Sequence, residues 1–195
     1  WRKRAQKVTD YFRDKGRALL ANGYRIIPVE RGAKWPVLSL KNWPQILMGP
    51  SDLSRFPGCG VGVLTGVGVT PLVAVDIDAE DEELSRLFTD WCLTNLGPAP
   101  VRIGKAPKTL LLYQAAEAGW AKGDSANFTD LFGQKNHLEI LGRGQQFVAY
   151  HTHPDTGKPY AWPGAAGGAA DVRASDLTVF TLALLLPATA RHHHI

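Results

Sequence analysis

Two spacings of apolar residues divide the chain. Over residues 2–22 they return at mixed three- and four-residue intervals (Val8, Tyr11, Phe12, Leu19, Leu20), and Asn22-Gly23 supplies a stop, so an amphipathic helix is predicted there. From Arg25 onward short apolar, β-branched runs take over. Arg25–Val29, Val61–Leu64, Leu72–Ile77, Val101–Ile103, Thr109–Gln114, His137–Leu141 and Gln145–Tyr150 read as strands bounded by turn chemistry. Glu80–Leu96 returns to helical spacing, with Glu80, Asp81, Glu82 and Glu83 at the positive end of its macrodipole. The stretch around Trp35-Pro36 and Trp43-Pro44 fits neither period. An Asp155-Thr156-Gly157 turn leads to a short strand near Tyr160, and a Gly/Ala-rich link at Gly164–Ala170 precedes a last helix capped by Asp171 or Ser175. No internal repeat occurs. Many strands with few helices predict an α+β fold rather than a doubly wound sheet.

Composition narrows the class without specifying a chemistry. The chain has 195 residues, 45% of them hydrophobic, enough for one well-cored domain or two small packed modules. The net charge of +4 is unevenly placed: residues 1–17 carry seven basic and two acidic residues, and the remainder is close to neutral. The basic character therefore reports one N-terminal segment, which reads first as a solvated helix face. No apolar run reaches the roughly 20 residues a membrane helix needs; Leu177–Leu186 reads as a buried helix. Cys59 and Cys92 stand far apart, with neither disulfide nor zinc spacing. These features predict a soluble, cytoplasmic chain with no membrane partner. Arg191–Ile195, with its three histidines, reads as an expression remnant.

The candidate chemistry begins at Leu72-Val73-Ala74-Val75-Asp76-Ile77-Asp78, an apolar strand ending in carboxylates at i and i+2. Strand periodicity puts both on one face, where they repel unless a cation lies between them. Mg²⁺ and Mn²⁺ take such oxygen donors together with substrate phosphates. Taken alone, the pair is equally explained by Asp78 capping the next helix and Asp76 lying solvated at the strand end. Glu139, between apolar neighbours in His137–Leu141, is a third carboxylate; a solvent-facing member of an alternating strand is its competing explanation. Together the three suit a two-metal site for phosphoryl transfer.

Arg102, Lys105 and Lys108 put three cations on a strand–turn–strand, either a solvated hairpin tip or a triphosphate clamp. Other motifs fall away. Gly60–Gly66 has GxGxxxG spacing and runs into a strand, Gly104-Lys105 lacks the rest of a phosphate-binding loop, and no serine sits on a nucleophile elbow. His151 and His153, at i and i+2, lack a nearby third soft ligand, so they read as parts of a hairpin rather than a metal pair.

Asp76-Ile77-Asp78, Arg102…Lys108, and Glu139–Val148 running into His153–Trp162 resemble the N-terminal domain of primase–polymerases, of the archaeo-eukaryotic primase superfamily, carried by phages, prophages and plasmids. Pro28-Val29…Lys34…Trp43 and Val61–Gly66 fit the opening half of that pattern, and the resemblance spans roughly residues 15–187. It implies a single catalytic domain over 1–190, with a small N-terminal α/β module (1–64) packed on an RRM-like palm and C-terminal helix (65–190).

The resemblance further implies a template-directed nucleotidyltransferase, with Asp76, Asp78 and Glu139 as catalytic, metal-holding carboxylates for Mg²⁺ or Mn²⁺. Arg102, Lys105, Lys108, Arg143, Gln145, His153 and Lys34 become candidate nucleotide contacts. The superfamily's histidine between the acidic motifs is missing here, and Lys108, helped by Arg102, stands in its place. The implied partners are single-stranded DNA template, primer, nucleoside triphosphates and a helicase domain or subunit. Two other functions stay open on the residues alone: a non-catalytic DNA- or nucleotide-binding module of a replication initiator, and a metal-dependent nuclease.

Overall fold

A computed structural model of the chain describes residues 9–116, 125–130, 133–165 and 167–180. The basic residues at 2–7, most of the Leu177–Leu186 run and Arg191–Ile195 lie outside them. In chain order the elements are α1 (Tyr11–Ala21), β1 (Ile26–Val29), β2 (Gly60–Leu64), β3 (Leu72–Asp78), α2 (Glu82–Asn95), β4 (Val101–Ile103), β5 (Thr109–Ala115), β6 (Ser125–Thr129), β7 (Lys135–Leu141), β8 (Gln146–Tyr150) and β9 (Val179–Phe180). This is the mixed α+β arrangement that the strand-rich pattern predicts.

The strands form two sheets. The smaller has the order β1-β2-β8 and is antiparallel; β8, far along the chain, completes it. The larger runs β4-β5-β3-β7-β6, antiparallel throughout, with β9 added parallel to β5. Alternation along β3 assigns its two faces. Leu72 and Ala74 join Leu110, Leu112 and Leu141 in a core shared with α1 and the smaller sheet (Phe12, Leu19, Val61, Val63, Phe147). Val73, Val75 and Ile77 face the other way, onto Cys92 of α2, Leu96 just after it, and Tyr113 and Phe180. Each fully buried leucine or valine of this kind stabilises the fold by about 1.5–3 kcal/mol. The face carrying Leu72 and Ala74 also carries Asp76 and Asp78, so the shared core passes directly into the carboxylate region.

Both helices start where a side chain meets an orphan amide. Asp10 accepts from the Arg13 amide of α1 at 3.3 Å, and Asp81 accepts from the Leu84 amide of α2 at 2.7 Å. The capping residue of α2 is therefore Asp81, not Asp78, which removes the competing explanation of the second aspartate.

Three expectations need correction. The helix predicted beyond the Gly/Ala link does not form over residues 171–180: a short 3₁₀ turn at Ala174–Asp176 gives way to β9, because Phe180 completes the Tyr113 side of the core. Parallel pairing of Gln114 and Ala115 with Val179 and Phe180 outweighs the helical look of that run. The strand near Tyr160 is reduced to isolated bridges, Ile103 with Ala161 and Thr152 with Pro159. Conversely β6, whose Ser-Ala-Asn-Phe-Thr sequence lacks an apolar run, pairs along its whole length with Lys135–Glu139 of β7. Among the described residues no helix is long and apolar enough to cross a membrane.

His151 and His153 flank the chain reversal that follows them, and both are almost fully buried. His151 is buried, with Nε2 donating to the Glu30 carbonyl at 3.1 Å. The chain turns back over Asp155–Gly157, with the Gly157 amide on the His153 carbonyl at 2.9 Å. Burial holds both imidazoles below their ordinary value of 6.5. The unfolded chain then binds more protons than the folded one as pH falls through 6.5, and stability is lost. Thermal melts are expected to be flat above about pH 7 and to drop toward pH 5.5. His151→Gln, whose amide also donates but does not titrate, should flatten that acid-side slope; an unchanged slope would exclude His151 as its source.

Candidate active site

Strand register assembles the site in two rows across one face of the larger sheet. In the first, Arg102 on β4 lies beside Leu110 on β5, Leu110 beside Asp76 on β3, and Asp76 directly opposite Glu139 on β7. Two residues further, Asp78 faces His137. Lys108, just before Thr109 (the partner of Ile77), bridges the Asp78 and Glu80 carboxylates through its Nζ. The carboxylates at 76, 78 and 80 thus continue the two-residue period past the end of the strand.

The charges are set by burial and by each other. Loss of water raises the Asp76 carboxyl above its ordinary value; Arg102 opposes the rise, while Asp78 and Glu139 add to it. Arg102 Nη2 lies 3.9 Å from Asp76 Oδ1, and Nη1 donates to the Val148 carbonyl at 2.7 Å. Its guanidinium lies over the Tyr160 ring at 4.9 Å and the Phe147 ring at 5.9 Å from their centroids. Burial pulls the Arg102 pKa down from its ordinary value, yet the group stays cationic. Its head is therefore held before any ligand arrives. At Lys108 burial pulls downward too, but the contacts to Asp78 and Glu80 outweigh it and hold the ammonium above its ordinary value. Lys105 adds a weaker contact to Glu80 at 3.8 Å. On the other carboxylate, Gln145 Nε2 donates to Glu139 Oε1 at 2.8 Å while its Oε1 accepts from the Gly142 amide at 3.0 Å.

A cavity of about 520 Å³ opens over these rows, within the about 300–1,000 Å³ of small-molecule sites. Nine of the ten candidate residues line it: Asp76, Asp78, Glu139, Arg102, Lys105, Lys108, Gln145, His153 and Lys34. Arg143 does not; it is exposed in the β7–β8 turn, where its backbone packs against Gly66. Gly66 has φ +66°, and a Cβ there would lie 2.4 Å from the Arg143 amide nitrogen, so the glycine once suggestive of a nucleotide loop serves a tight chain crossing. Gln145 reaches the site by orienting Glu139. Lys34 lies 3.3 Å from Asp155, and the Asp155 amide donates to His153 Nδ1 at 3.2 Å, which leaves the proton of the neutral ring on Nε2.

Some site residues escaped sequence reasoning. Glu80 read as part of an acidic helix start, although its even spacing from Asp76 and Asp78 was the available signal. Tyr160, Trp35 and Trp43 also line the cavity; Tyr160 and Trp43 fall in the stretches that carry the family resemblance, but neither drew a site role. His137, opposite Asp78, has a buried Nε2 with no hydrogen-bond partner. Gly104 has a steric role: a Cβ there would lie 2.5 Å from the Tyr160 ring and 3.0 Å from His153. Gly104→Ala should displace both rings and destabilise the fold by about 1–3 kcal/mol, the cost of overpacking. Thermal melts check this, and an unchanged melting temperature would dismiss the steric argument.

The donors suit a hard divalent cation in kind and in backbone placement: three carboxylates share one face, two of them directly opposed. In the conformation described, Asp78 is engaged by Lys108 and Glu139 by Gln145, and among the described residues no three His, Cys, Asp or Glu side chains converge on one point. The model of the family described as bifunctional DNA primase/polymerase, N-terminal, matches residues 16–173. No curated protein matches the sequence.

Proposed function

We propose that this chain, which belongs to the bifunctional DNA primase/polymerase N-terminal domain family, is a template-directed nucleotidyltransferase that joins an incoming nucleotide to a 3′-hydroxyl and releases pyrophosphate. The carrying observation is the register of Asp76 against Glu139, with Asp78 on the same face and Arg102, Lys105 and Lys108 around the same cavity. Phosphoryl transfer needs both signs of charge, carboxylates for divalent ions and cations for phosphate.

In this reading Asp76, Asp78 and Glu139 hold Mg²⁺ or Mn²⁺, with Gln145 fixing the Glu139 carboxylate. The metal ions, when bound, supply Lewis-acid activation of the 3′-hydroxyl and neutralise charge on the leaving pyrophosphate. Arg102 presents a prepositioned fork to the triphosphate. Lys108 exchanges its carboxylate partners for phosphate, taking the role for which the superfamily uses histidine. His153, neutral with its proton on Nε2, is a further donor in the cavity lining. Template, primer and nucleoside triphosphates are the implied partners, with a helicase domain or subunit acting alongside, in cytoplasmic replication of a phage, prophage or plasmid.

A labelled primer annealed to a template, incubated with nucleoside triphosphates and either Mg²⁺ or Mn²⁺, tests the reading. Lengthening is expected. Shortening would identify a metal-dependent nuclease, and an unchanged primer that still binds would identify a non-catalytic binding module.

A further inference from the structure

We propose that Trp35, together with Trp43, forms a stacking wall for the base of the incoming nucleoside triphosphate; this rests on reading the cavity as a nucleotide site. The cavity has two unlike sides. The larger sheet contributes carboxylates and cations, whereas the segment after β1 contributes Trp35, Pro36 and Trp43. Trp35 is 57% exposed, a large apolar area left in water at the edge of a polar site.

Its backbone is held on both sides. The Glu30 amide donates to the Trp35 carbonyl at 3.0 Å, and the Val37 amide to the Pro28 carbonyl at 3.1 Å. Gln146 Nε2 donates to the Lys34 carbonyl at 2.9 Å, tying the segment to β8. The indole is thus mounted on the smaller sheet, so little ordering cost falls on the backbone when a ligand binds. An occupant that meets the Arg102–Lys105–Lys108 cluster and the indole at once carries a polyanion and a flat apolar ring in one molecule. A nucleoside triphosphate has that form. Stacking on an indole accepts every base, because each offers a π-face, so weak selectivity among the four bases is expected.

Trp35→Ala and Trp35→Phe are compared with the parent for binding of dATP and of inorganic tripolyphosphate, without DNA, by equilibrium dialysis in Mn²⁺; circular dichroism melts confirm folding. Trp35→Ala should lose about tenfold in dATP affinity, from the range known for base–aromatic stacking, while tripolyphosphate affinity stays within about twofold. Trp35→Phe should recover most of the dATP loss. Equal losses for both probes, or unchanged dATP binding, would overturn the proposal, while binding of both probes by the parent would still support the nucleotide-site reading. A folded parent that binds neither probe would overturn the nucleotide-site reading itself, and this proposal with it.

Discussion

Asp76→Asn should yield a folded protein that no longer extends primers, with incorporation down by about 10³-fold or more, as for loss of a group acting within a catalytic unit. The two halves of this expectation have separate causes. Asp76 lies opposite Glu139 and two residues from Asp78, and burial already disfavours its charge. Removing that charge relieves desolvation and repulsion but weakens the contact with Arg102, so stability should move by only about 1 kcal/mol in either direction. The amide keeps the shape and one acceptor oxygen. It lacks the charge that a carboxylate-held divalent ion requires. Single-nucleotide incorporation and a thermal melt on the same sample separate the effects. Extension within about tenfold of the parent, with an intact melt, would defeat the carboxylate assignment.

Strands with an apolar run were legible because burial on both faces leaves a mark in sequence. β3 and β5 are such strands, and both lie near the centre of the larger sheet. β6 lies at the edge, where one-sided pairing asks little of its side chains, and Ser-Ala-Asn-Phe-Thr has no matching signature. β9 escaped for the opposite reason. Val179 and Phe180 suit helix and strand alike, and tertiary pairing with β5 decides between them.

The carboxylates were legible because two of them fall within one strand and its period fixes their shared face. Glu139 needed the fold: sequence cannot say that β7 pairs with β3 in the register that sets Glu139 against Asp76. The same limit applies to the support around Arg102, which comes from β8 through the Val148 carbonyl and from a hairpin through Tyr160. Local sequence showed the cation but not what immobilises it. Arg143 marks the converse, since a cation close to Glu139 in sequence lies outside the cavity lining, with its backbone packed on Gly66.

Arg102→Ala should therefore damage both stability and phosphate binding, while Arg102→Lys restores little of either. The alanine variant leaves the Val148 carbonyl without its 2.7 Å donor, a loss of about 2 kcal/mol for a hydrogen bond to a charged group. The ion pair itself adds less, because the Asp76 side chain remains 37% exposed at 3.9 Å. Nucleoside triphosphate affinity should fall about 10²-fold, as when one member of a desolvated charged contact is truncated. Loss of the neighbouring cation also makes Asp76 harder to ionise, so the acid limb of the rate–pH profile should move to higher pH. Lysine preserves the charge but not the planar fork that meets the Val148 carbonyl while lying over Tyr160 and Phe147. If Arg102→Lys matched the parent in affinity, melting temperature and pH profile, the site would need only a positive charge at this position, and the prepositioned guanidinium would have no role in phosphate binding.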